Sequence, residues 1–169
     1  MKFEKVSLNQ FNTDLTNCLL DVPADKLTDL YDHIMIPSRA TLHSAGYDFA
    51  VPVRIIVHPG STITVPSGIK CHFSALESEN WHLKLYIRSS VGIHRHIRLA
   101  NGTGVIDADY YNNPDTEGDI FIALHNYGHA PLIFNPGDKI MQGVFECYGL
   151  TEDDVAIMVR SGGIGSTGR

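Results

Sequence analysis

The stretch Gly104-Val105-Ile106-Asp107-Ala108-Asp109-Tyr110 runs three strand-forming residues into two carboxylates and an aromatic ring. A carboxylate just after a buried strand is shielded on one side and open on the other. That suits a general base or a group that organises a metal. On local chemistry alone, Asp107 reads first as a turn cap and Asp109 as a solvated charge. Three more polar, glycine-bearing segments follow apolar strands, and convergence of all four on one pocket would favour chemistry.

The elements that must carry these groups read as an all-β body. From residue 47 onward apolar residues alternate with polar ones: Ile63 and Val65; Ile69, Cys71 and Phe73; Leu83, Leu85 and Ile87. Period-two alternation marks strands with one buried face. Ile120 to Leu124 is continuously apolar and predicts a central strand. Leu132 to Phe134, Val144 to Phe145 and Val155 to Val159 predict three more. Pro59-Gly60, Pro66-Ser67-Gly68 and Asn135-Pro136-Gly137-Asp138 are turns. Upstream, Leu27, Leu30, Tyr31 and Ile34 have helical spacing behind Pro23, which predicts one short amphipathic helix over Ala24 to His33, packed on the outside of the body. The expected division is an N-terminal extension (1–38), a β domain (39–159) and a glycine-rich C-terminal arm (160–169). The arm offers backbone N–H groups, hydroxyls and Arg160 to a phosphate, or it frays as such ends do.

Composition narrows the function. Thirteen Lys and Arg against nineteen Asp and Glu leave a net charge of −6, which argues against general affinity for nucleic acid or anionic membrane. An anionic ligand must therefore be met by a few placed cations or a divalent metal. Cys18, Cys71 and Cys147 are far apart and form no CxxC, so neither a disulfide framework nor a structural zinc site is expected. The N-terminus lacks a signal-peptide layout and no apolar run would span a bilayer, so a reducing cytoplasm is the expected compartment.

Five segments together resemble the motifs of the trimeric dUTPases over roughly residues 36 to 169, and bacterial and phage-type members most. They are Ala45-Gly46-Tyr47-Asp48, Arg88-Ser89-Ser90-Val91-Gly92, Gly104 to Tyr110 with Asn101 before it, Gly137 to Gln142, and Arg160 to Gly168. The resemblance implies a jelly-roll-like β-barrel or sandwich that assembles as a homotrimer, with active sites shared between subunits. It implies hydrolysis of dUTP to dUMP and pyrophosphate, with Mg2+ held by the substrate phosphates and waters rather than by direct protein ligands. By resemblance, Asp107 is the general base and Tyr110 lies under the deoxyribose, excluding a 2′-hydroxyl. Asn101 and the backbone around it, including Gly104, read uracil. Arg88, Ser89 and Ser90 meet the phosphates, Gln142 holds phosphate or metal-bound water, and Asp48 frames the site. Arg160, Gly163, Ser166 and Thr167 close over the outer phosphates.

This chain departs from the family pattern in places. Ser90 and Ile87 stand where glycine and proline are usual, and Ile164 where an aromatic stacks on the base. Such stacking is worth about 1–3 kcal/mol; Tyr111 and Phe121 are candidate replacements. An extra loop, Asn112 to Glu117, follows the third motif. A dCTP deaminase of the same fold is the first alternative, but Ala123 stands where that family carries its glutamate, and alanine moves no proton. A catalytically silent regulatory binder is disfavoured by Asp107, Tyr110 and Gln142 together. His94 and His96, expected on one strand face, find no third ligand for a metal site.

Overall fold

A computed structural model of the chain describes residues 1–74, 76, 80–157 and 162. The alternation becomes twelve strands: β1 (Lys2–Lys5), β2 (Ser38–Arg39), β3 (Tyr47–Ala50), β4 (Ile55–Val57), β5 (Thr62–Pro66), β6 (Ile69–His72), β7 (Trp81–Ile87), β8 (Ile97–Leu99), β9 (Gly104–Ile106), β10 (Phe121–Asn126), β11 (Leu132–Phe134) and β12 (Lys139–Cys147). The largest sheet has the order β2-β3-β12-β7-β9. A second has the order β5-β10-β8, and β1-β6 and β11-β4 form two-stranded ladders. The result is all-β and jelly-roll-like, but the sheets do not close into the barrel that was one expectation. Leu83, Leu85, Phe49, Ile122, Leu124 and Met141 point between the sheets and are almost wholly buried. Burying side chains of this size contributes roughly 1.5–3 kcal/mol each.

Two helices precede the body. The one expected is α2, Ala24–Asp32. The other, α1 (Leu8–Asn17), was not expected. Ser7 caps α1 by accepting from Gln10 N at 3.1 Å. Its buried residues are Phe11, Asp14 and Leu15; apart from Leu8 the rest is Asn, Gln and Thr, so only three apolar residues mark its periodicity. Phe11 and Leu15 nevertheless join Val6 in the core, and β1 pairs with β6 from Lys2↔His72 to Lys5↔Ile69. The first residues of the chain are thus built into the body.

Three further expectations are corrected. Val144 and Phe145 belong to a nine-residue strand, β12, whose apolar pattern is interrupted at Gln142 and Gly143. Val155 to Ile157, predicted as a strand, is irregular and exposed, with Ile157 at 92%. The run is continuously apolar, but among the described residues no strand pairs with it; Met158 and Val159 lie outside the described residues. His94 and His96 do not share a strand face. His94 ends a π-helical turn, Ser90–His94, and His96 takes a left-handed φ of 54° just before β8.

Candidate active site

Three strands of the large sheet assemble the first group of residues. Gln142 on β12 stands across from Asp48 on β3 and from Tyr86 on β7. Residues directly across from one another share a face, and so does Arg88, two positions beyond Tyr86. A register shift between Lys139 and Met141 makes this possible. The bulged strand turns both Ile140 and Met141 into the core and swings Gln142 to the open face.

Asp48 is the hub. Its carboxylate is only 6% exposed, with Arg88 Nε 3.2 Å from Oδ1 and Lys139 Nζ 3.3 Å from Oδ2. The Lys139 contact is an ion pair without hydrogen-bond geometry. Arg88 Nη1 also donates to Lys139 O at 3.2 Å. A buried carboxylate facing two cations locks their positions, because losing either partner would leave charge poorly compensated. Beyond Arg88, the exposed Ser89 and Ser90 enter the π-helical turn, and Val91 N and Gly92 N both donate to Arg88 O at 2.9 Å.

Asp48, Arg88, Ser89, Ser90 and Gln142 line a cavity of about 320 Å³ with Ala40, Ser44 and Gly46; Lys139 is not part of the lining. Gly46 packs against the Gln142 side chain. A Cβ there would lie 2.9 Å from Cδ and drive into Oε1, so only glycine leaves the Gln142 amide where it is. The cavity combines a fixed guanidinium, hydroxyls and an amide, a donor set suited to polyanions. Lys139 and Gly46 were not among the candidate site residues, although both lie inside quoted motifs. Their roles depend on what each touches across the sheet.

The second group lies elsewhere in the chain. Asn101 is exposed on the β8–β9 connection, where Thr103 N donates to its carbonyl at 2.9 Å. Gly104 opens β9 against Leu85. Asp107 is half-buried and extended (φ −75°, ψ 157°), and starts a 3₁₀ turn, Ala108–Tyr110. Tyr110 is 5% exposed and donates through its hydroxyl to Asp119 O at 2.9 Å. β9 runs antiparallel to β7, with Gly104↔Leu85 and Ile106↔Leu83. One more step sets Asp107 beside His82, six positions from Arg88, which at about 3.3 Å per residue is about 20 Å. One chain therefore holds the two groups apart.

Of the candidate stacking rings, Tyr111 donates to Glu4 Oε2 at 2.7 Å and packs on His72, so it is committed to the N-terminal strand. Phe121 sits half-buried in β10 opposite Pro66. Ala123, where a deaminase would need its glutamate, lies in β10 across from Thr64. Arg160, Gly163, Ser166 and Thr167 lie outside the described residues.

The all-β body thus carries a hydroxyl-lined cavity with a guanidinium on one sheet face and an acidic turn some 20 Å away. Comparison with known proteins names the family. The dUTPase family model matches residues 32–168. The deoxyuridine 5′-triphosphate nucleotidohydrolase of Lactococcus lactis subsp. lactis is 39% identical over 137 residues, covering 80% of this chain and 89% of that protein. The enzyme of that name from Laribacter hongkongensis is 35% identical, covering 79% and 88%. The crystal structure of dUTPase from Streptococcus mutans superimposes with a TM-score of 0.70 at 32% identity, covering 90% of this chain and 99% of that one. The chain belongs to the dUTPase family.

Proposed function

We propose that this protein is a dUTP diphosphatase, hydrolysing dUTP to dUMP and pyrophosphate. The observation that carries the reading is the Asp48-centred cavity lined by Arg88, Ser89, Ser90 and Gln142, with Lys139 paired to the same carboxylate. In an acidic chain this is where a triphosphate meets placed positive charge.

In this reading Arg88 and the serines bind the phosphate chain, held by Asp48 from behind. Asp107 takes a proton from a water that attacks the α-phosphorus. The bond to the bridging oxygen breaks and pyrophosphate leaves in line. Tyr110 backs the deoxyribose, and Asn101 with Gly104 meets the uracil edge. Arg160, Gly163, Ser166 and Thr167 close over the outer phosphates. The separation of Asp107 from Arg88 favours a shared site, with the cavity from one copy and the acidic turn from another, in a homotrimer. Mg2+ fits as an ion arriving with the substrate. The cavity offers neutral oxygens, Gln142 Oε1 and the Ser44, Ser89 and Ser90 hydroxyls, and among the described residues no three His, Cys, Asp or Glu come together. Bound there, Mg2+ would neutralise phosphate charge.

Incubation with dUTP, dCTP, dTTP and UTP, with products resolved, tests the reading. Pyrophosphate from dUTP alone supports it; ammonia from dCTP, or binding without turnover, overturns it. Asp107→Asn should bind dUTP but lose turnover, by about 10²–10⁴-fold for a general base.

A further inference from the structure

The N-terminal segment and the 112–117 loop, neither of which the catalytic reading uses, are tied to one another and to Tyr110. Asn113 is buried and its Nδ2 donates to Tyr110 O at 2.9 Å. Thr116 Oγ1 donates to the Tyr110 hydroxyl at 3.2 Å, and that hydroxyl donates to Asp119 O at 2.9 Å. The loop folds back tightly: at Gly118 (φ +85°) a Cβ would lie 2.8 Å from Tyr110 O and 3.0 Å from Tyr111 Cα. Tyr110 is thus gripped at its carbonyl and its hydroxyl by residues 113–119.

That loop is fastened in turn by the start of the chain. Glu117 accepts from Ser7 N at 2.9 Å and from Ser7 Oγ at 2.6 Å. Gln10 Nε2 donates to Asp115 O at 3.1 Å, and Tyr111 donates to Glu4. Burial pushes the Glu117 carboxyl up, but the Ser7 donors and the Lys70 ammonium outweigh burial and hold it below its ordinary value. The clasp is therefore charged and doubly bonded near neutral pH.

We propose that Ser7 and Glu117 are positioning residues for the sugar subsite: their clasp sets the 112–117 loop, which fixes the Tyr110 ring against which deoxyribose is accepted and ribose refused. The inference rests on the reading of Tyr110 as the sugar wall. Rejecting a single hydroxyl by crowding demands a wall that does not yield, and an anchored aromatic ring is such a wall. Loosening the clasp relaxes the ring without removing any group that touches substrate.

The test measures kcat/KM for dUTP and for UTP with the full chain and with Ser7→Ala, Glu117→Ala and Glu117→Gln, alongside Tyr110→Leu as reference. Ser7→Ala and Glu117→Ala should each lower the dUTP-to-UTP ratio about fivefold to tenfold. The double variant should do no worse than either alone, because they break one clasp. Glu117→Gln, which keeps an acceptor for Ser7, should recover part of the ratio. Loss of folded protein alone would lower both substrates equally, so an unchanged ratio in both alanine variants overturns the proposal. If Tyr110→Leu lowers the ratio while they do not, the clasp alone is refuted. If Tyr110→Leu also leaves it unchanged, the reading of Tyr110 falls and the clasp with it.

Discussion

Separation of the two residue groups makes a quantitative prediction for mixed assemblies. Arg88→Gln removes the cavity's guanidinium but leaves Asp48 facing Lys139 at 3.3 Å, so the sheet should still fold. Asp107→Asn removes the proposed base and leaves the cavity intact. Each variant alone should be nearly inactive, because losing a general base or a charge-stabilising donor costs about 10²-fold or more. Co-expressed at equal amounts, half the cavities carry Arg88 and half the acidic turns carry Asp107. If each site joins a cavity of one copy to a turn of another, about a quarter of sites are fully intact and the mixture recovers about a quarter of the parent rate. Pyrophosphate release from dUTP by the co-expressed mixture reads this directly; in doubly tagged, tandem-purified mixed trimers, freed of single-variant assemblies, the expected recovery rises to about a third. A mixed sample no more active than its separate components would refute the shared site and return all the chemistry to one chain.

Other consequences follow from particular contacts. Gly46→Ala should push Gln142 aside and lower kcat/KM for dUTP by about 10²-fold, the size expected for an ångström-scale displacement; thermal unfolding should barely change, and an undiminished rate would separate Gln142 from the chemistry. Asp48→Asn leaves Arg88 and Lys139 without their shared carboxylate. Both cations are about a third exposed, 34% and 39%, so water compensates part of the loss and urea unfolding should show about 2 kcal/mol less stability. Burial first, then the neighbouring Asp14, pushes the Asp119 carboxyl well above its ordinary value, and burial pushes Asp14 up too. The folded chain therefore keeps a proton that the unfolded chain releases above 3.8. This contribution to stability is full below that value and is lost as pH rises through the folded-state value. Asp119→Asn, which places a permanent N–H beside Asp14, should flatten the dependence of Tm on pH and raise Tm at pH 8 relative to the parent. An unchanged slope would show that the two acids do not share a proton.

The strands around the site were legible because each reports its own burial through period-two alternation: Leu83, Leu85 and Ile87 against Lys84 and Tyr86 predict all of β7 but its first two residues, Trp81 and His82. α2 was legible for a similar reason, with four apolar residues at helical spacing. α1 was not, because its three apolar residues, Leu8, Phe11 and Leu15, are scattered among Asn, Gln and Thr, and its buried Asp14 makes sense only once Asp119 lies opposite. Val155 to Ile157 misled in the other direction, apolar throughout but with no partner strand among the described residues.

The order and spacing of five motifs were in the amino-acid sequence, and with them the family, the all-β class and the list of groups suited to phosphate chemistry. Which groups meet was settled by strand pairing. The β12 bulge sets Gln142 beside Asp48, the sheet face brings Arg88 and Lys139 to one carboxylate, and the β7–β9 register holds Asp107 about 20 Å from them. Ser7 reached Glu117 across the length of the chain in the same way. Local periodicity records which face of an element is buried. It does not record which distant element covers that face, because that choice is made by contacts summed over the whole fold.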